Sequence, residues 1–207
     1  MLNTIKNLVV FQNIAQDNLI KECLSCLHTP LAPANAPLIN KFIIVAEKLS
    51  LKDNLLRSYL IYLLSQKHNI IAELVMQDYV IGTSLKQALL SDMVILTQLL
   101  TMLPSSFLDS VILDDYNPSV NNHNQAFNSL YHNIKNSLST ITPESLSQIL
   151  IEHYQTYGIG DLSNYKAFRW DKEKTLLGIK NFDKITFNDL VGYERQKNIL
   201  LANTLAF

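Results

Sequence analysis

Glycine is scarce in this chain. Its 207 residues hold five, and Gly82 is the one that precedes residue 158. No glycine is followed by lysine, so the phosphate-cradling pattern G-x-x-x-x-G-K-[ST] does not occur. No G-x-G-x-x-G loop occurs either, and Gly158-Ile159-Gly160 is a lone G-x-G that follows a helical pattern rather than a strand. This stretch of polypeptide is therefore not expected to hydrolyse a nucleoside triphosphate by itself. Two cysteines are too few for a disulfide scaffold, which suggests a reducing, cytoplasmic setting. Charge is thin as well: 17% of residues are charged, against roughly 25% in ordinary soluble domains. The 17 basic and 18 acidic residues nearly cancel, which argues against a nucleic-acid partner held by a basic surface and against a polybasic membrane anchor. The start lacks the basic region and compact apolar run of a secretory signal. The uncharged stretch at 93–108 is interrupted by Thr97, Gln98, Thr101 and Pro104 and is too short to span a bilayer.

What is present is apolar bulk, at 48% of residues, arranged mostly with helical period. Residues 53–77 place Leu55, Leu56, Tyr59, Leu60, Leu63 and Leu64 on one stripe, which predicts a single helix. A second helix is expected from Thr83 as N-cap through Leu85, Leu89, Leu96, Leu99 and Leu100, and a third after Pro104. Thr142-Pro143-Glu144 combines a cap, a first-turn proline and an early acid, and predicts a helix ending at Gly158. Further helices are expected over 3–27, 38–49 and 124–138, with connections at 30–37 and 114–124. Alternating strand patterns are nearly absent from this part, so an all-α fold is expected, a multi-helix bundle or irregular helical array.

The chain changes character near Gly158. Four of the five glycines, 14 of the 35 charged residues and Trp170, the sole tryptophan, fall in the last 50 positions. This predicts a helical domain over 1–157 and a distinct segment over 158–207. In that segment, 167–170 and 175–179 are expected to be extended, and Asn188-Asp189 to cap an amphipathic helix carrying Leu190, Ile199, Leu200 and Leu205.

Candidate chemistry in the helical part is sparse. Cys23 and Cys26 form a C-x-x-C pair that would share a helix face, with His28 nearby, but a zinc site needs a fourth ligand and a redox pair needs a preceding strand. Both are read as core or boundary residues. His28, His68, His123, His132 and His153 are scattered and read as structural. Asp114-Asp115 offers paired carboxylates but lacks the glycine and spacing of a calcium loop, so it reads as a solvated turn. No G-x-S-x-G elbow is present.

Two stretches are distinctive: YQTYGIGDLSNYKAFRWD from Tyr154, and ITFNDLVGYERQKNILLANTLAF from Ile185. Both resemble a bacterial family of predicted AAA+ superfamily ATPases of uncharacterised function. Its members carry a helical N-terminal region, Y-x-x-x-G-x-G, A-F-R-W, and then D-L-[IV]-G-Y-E-x-Q-[KR] with N-T-x-x-F behind it. The resemblance implies that a Walker A loop follows shortly after Phe207, so that the chain is a shortened version of a longer protein, a fragmentary gene product or one part of a split protein. It implies that Val191, Gly192 and Tyr193 lie beside the adenine ring. ATP and magnesium are expected only once the missing ATPase core is present, with no catalytic residue and no resident metal in this chain alone. The helical part is then an accessory region that recognises a protein substrate or adaptor, and the chain's partners are the ATPase core and, in a tail-mediated dimer, another copy of itself. Phe168, Arg169 and Trp170 are either a coupling element to the motor or an aromatic anchor, with Arg169 solvated or paired to Asp171 or Glu173. Two alternatives stand beside this reading: a stand-alone helical interaction module with no nucleotide role, and an enzyme built on Cys23, Cys26 or the histidines.

Overall fold

The computed structural model describes residues 5–27, 36–108, 110–119, 124–165, 167–172, 176–179, 186–189 and 191–206. The fold is mostly helical, with one small two-stranded antiparallel sheet. The chain divides into two compact units, Met1–Asn164 and Tyr165–Phe207.

The first unit contains α1 (Gln12–Ala15), α2 (Asn18–Ser25), α3 (Ala36–Leu49), α4 (Leu55–Gln66), α5 (Ile70–Met76), α6 (Thr83–Thr101), α7 (Gln125–Ser137), α8 (Pro143–Tyr157) and α9 (Asp161–Asn164). Its helix starts are set by short polar side chains. Asp17 accepts from the Leu19 and Ile20 N–H groups, Asn54 from Arg57, Asn69 from Ala72 and Asn124 from Phe127, all near 3 Å. Thr142 and Ser145 exchange hydrogen bonds in a capping box ahead of α8. Each cap satisfies donors that a helix cannot pair internally.

Those caps explain where the structure departs from the sequence periodicity. The stripe at 53–77 is two helices, because Asn69 leaves the helix to cap α5 while its amide donates to Tyr154 Oη. The helix expected over 3–27 breaks the same way, at Asp17. Gly82, not Thr83, takes the N-cap place of α6, and no side chain caps that start. In place of a helix after Pro104 there are two single 3₁₀ turns, Pro104–Ser106 and Val111–Leu113, drawn together by the Asp114 carboxylate accepting from Ser105 N–H at 3.0 Å. Asp114 is thus a loop tie. The connection expected at 30–37 lies mostly outside the described residues, and α3 already begins at Ala36.

The core lies around α4, which is packed against α1, α3, α6, α7 and α9. Ser58 and Ser65 are fully buried beside its leucines, so the helix is enclosed on more than its apolar stripe. Asp92 of α6 is fully buried too, and its carboxylate accepts from the N–H groups of Val9, Val10 and Phe11 at 2.8–3.0 Å. Three charge-assisted hydrogen bonds compensate the desolvated carboxylate and fasten the start of the chain to α6. Residues 158–164 belong to this unit: Gly160 N–H donates to Ser65 C=O at 3.2 Å, and Asn164 donates to Gln66 at 2.6 Å. Among the described residues no helix is long and apolar enough to cross a membrane.

The second unit pairs β1 (Phe168–Trp170) with β2 (Leu176–Gly178), in register Phe168↔Gly178, Arg169↔Leu177 and Trp170↔Leu176. Gly178 is required here by packing, since a Cβ would meet the Tyr165 ring at 2.1 Å. A 3₁₀ turn, Phe187–Asp189, and α10 (Glu194–Leu205) follow. No described residue of this unit is buried.

Candidate functional site

The segment that leads into α10 is built from local contacts. Asp189 closes the 3₁₀ turn by accepting from both the N–H and the hydroxyl of Thr186 at 2.7 Å, which hold its carboxyl below the ordinary range. Gly192 adopts φ +84, a conformation that disfavours side chains. Among the described residues nothing lies within 4 Å of where its Cβ would be. The turn by itself already calls for glycine at this position.

Tyr193 is the N-cap residue of α10 and lines an apolar hollow of about 200 Å³ with Phe187, Gln196, Lys197 and Leu200. Tyr193, Lys197 and Leu200 fall at helical spacing on one face. Lys197 is drawn to Glu194 at 2.8 Å, which leaves its methylene stem as wall and its charge at the edge. Val191 is 86% exposed and lies outside the hollow. Of the three residues expected at an adenine ring, Tyr193 alone lines this hollow. Phe187 and Leu200 join it, and the helical spacing of 193, 197 and 200 was the available signal.

The A-F-R-W block forms β1. Phe168 and Trp170 share one face of the ribbon and Arg169 takes the other. Phe168 meets the Tyr165 ring edge-on at 6.2 Å, whereas Trp170 is 71% exposed. Arg169 is exposed and forms no ion pair among the described residues; Glu173 lies outside them.

The remaining candidates do not converge. Cys23 is buried, and burial pushes its thiol well above the ordinary range. Cys26 is half-buried, with Sγ 3.5 Å from the Glu22 carbonyl, and no disulfide joins the pair. His68 is exposed beside Glu73 at 2.9 Å, and His132 lies edge-on to Tyr131. His28 and His123 lie outside the described residues. His153 is buried between Tyr154 and Tyr157, its Nε2 has no hydrogen-bond partner among the described residues, and desolvation pushes it down to about 4. Among the described residues no three His, Cys, Asp or Glu side chains are placed to hold a metal ion. Gly158 and Gly160 have φ +71 and +63 and turn the chain after α8.

Comparison with protein families matches residues 163–207 to the family described as protein of unknown function (DUF815). The match covers less than half of the chain, and it includes the hairpin, the Gly192 turn and α10. No curated protein and no solved structure matches the chain.

Proposed function

We propose that this polypeptide is the front portion of an AAA+ ATPase. The first unit serves as its recognition region, and the second begins the nucleotide-binding domain. The observation that carries this reading is the apolar hollow that Tyr193, Gln196 and Lys197 of the D-L-V-G-Y-E-R-Q-K spelling form with Phe187 and Leu200. Phe187, Tyr193 and Leu200 offer aromatic and aliphatic surface of the kind that covers a flat base. Helix α10 supports it further. A helix of 12 residues is marginal in water without tertiary packing, and no residue of α10 is buried. An ATPase core would supply the missing surface, together with the phosphate loop, the magnesium site and the catalytic acid. With no Gly-Lys pair, this chain contributes only the base side of the site.

The test starts with the uninterrupted reading frame past residue 207. A phosphate-binding loop should follow within it, and the product of that whole frame should bind ATP. In that product Tyr193→Ala should weaken ATP binding about tenfold, equivalent to about 1.4 kcal/mol. A frame that terminates at this point, or unchanged affinity in the variant, overturns the proposal in favour of a helical interaction module.

A further inference from the structure

We propose that the hollow where α5, α6 and α8 meet binds an extended peptide. The site begins with an unusual turn. Asp78 follows α5 with φ +56, and Tyr79 N–H reaches back to the Leu74 carbonyl at 2.8 Å. The chain then runs through 79–82 without regular structure and enters α6 at the extended Gly82. Along this stretch the N–H groups of Val80 and Ile81, and the carbonyls of Tyr79, Val80 and Ile81, form no hydrogen bond among the described residues. Val80 is 93% exposed and Tyr79 61%, so apolar side chains are held in water beside these open backbone groups. Lone apolar side chains at a surface are ordinary, but adjacent ones beside a cavity mark a contact site.

The hollow itself measures about 380 Å³, within the range of ligand sites. Val75, Ile81 and Ile151 give it an apolar floor, while Asp78, Lys86 and Gln155 bring polar side chains to it. None of those three side chains has a hydrogen bond or ion pair among the described residues. Unpaired backbone donors and acceptors in a row are complemented by another backbone, the mode by which an extended peptide adds to a free edge. An aliphatic side chain of that peptide fills the floor. Lys86 and Asp78 take one acidic and one basic side chain flanking it, which fits a partner of mixed charge better than a nucleic acid or an anionic membrane. The inference rests on the recognition role of the first unit only for what the peptide is for; the binding chemistry stands on α5, α6 and α8 alone.

The experiment uses the 207-residue chain and a fluorescein-labelled, end-capped heptapeptide of alternating valine and threonine with one lysine and one glutamate. Fluorescence anisotropy should show saturable binding. Val80→Pro and Lys86→Glu should each weaken it at least tenfold; both side chains are exposed, and an unchanged amide NMR spectrum elsewhere verifies that each variant is folded. The same peptide with every amide N-methylated has no backbone donor and should not bind. Absence of saturation, equal binding by the N-methylated peptide, or binding indifferent to both substitutions overturns the proposal. No nucleotide enters the assay, so its failure leaves the ATPase reading standing, and a failure of that reading leaves this result intact.

Discussion

The two units hold their secondary structure by different means. In the first, capped helices are backed by a continuous core: Leu55, Leu60, Leu96, Leu130 and Leu150 are all essentially removed from water. Burying such a side chain contributes about 1.5–3 kcal/mol, against about 1 kcal/mol for a typical cap. In the second, no described residue is buried, and order rests on local devices: one ribbon pairing, the Thr186–Asp189 turn and the Glu194–Lys197 pair, worth about 0.2–0.5 kcal/mol. The contrast teaches that a well-spelled motif and a self-sufficient fold are separate properties. Residues 163–207 carry the family match, yet no described residue beyond 164 is buried, whereas the described residues before it share a continuous apolar core.

The sharpest way to probe this contrast is to remove the same group from each unit. Leu60→Ala should cost about 3 kcal/mol in urea unfolding, because it empties a filled site at the centre of α4. Leu200→Ala on α10 should change the same transition by less than about 0.5 kcal/mol.

Next in size is a pH effect confined to the first unit. His153 is pushed down to about 4 by desolvation, against 6.5 for a free side chain. Between those values the unfolded chain binds the proton and the folded one does not. Stability is therefore full above about pH 6.5, falls as pH is lowered, and has lost up to about 3 kcal/mol by pH 4. Urea titrations across this window should show that slope, and His153→Phe should flatten it.

A smaller effect than that of His153 belongs to the ribbon. Gly178→Ala should displace the Tyr165 ring at a cost of about 1–2 kcal/mol to the hairpin. The contact between Tyr165 and Phe168 should vanish from NOE spectra while the unfolding of the first unit stays unchanged.

Several of these features could be read directly from residue types. Thr142-Pro143 marks the start of α8, Asn124 that of α7, and the paired segments around Phe168 and Leu177 were visible as extended. The break at Asn69 was not visible, because asparagine is only mildly unfavourable inside a helix and its choice depends on Tyr154, 85 positions away. Asp92 was equally hidden: a lone acid among leucines reads as a solvated face until Val9, Val10 and Phe11 arrive to meet it. In the candidate site the motif singled out Tyr193, which lines the hollow. Val191 and Gly192 were not separable from it by spelling alone, since side-chain exposure and a positive φ carry no letter of their own.

The grip of Asp92 on the opening residues has a practical corollary. Trimming the first eleven positions would strand the Asp92 carboxyl in a dry interior without the three backbone donors that now meet it. Residues 9–11 are thus a fitted part of the first unit, and truncations are better placed where they leave these residues intact.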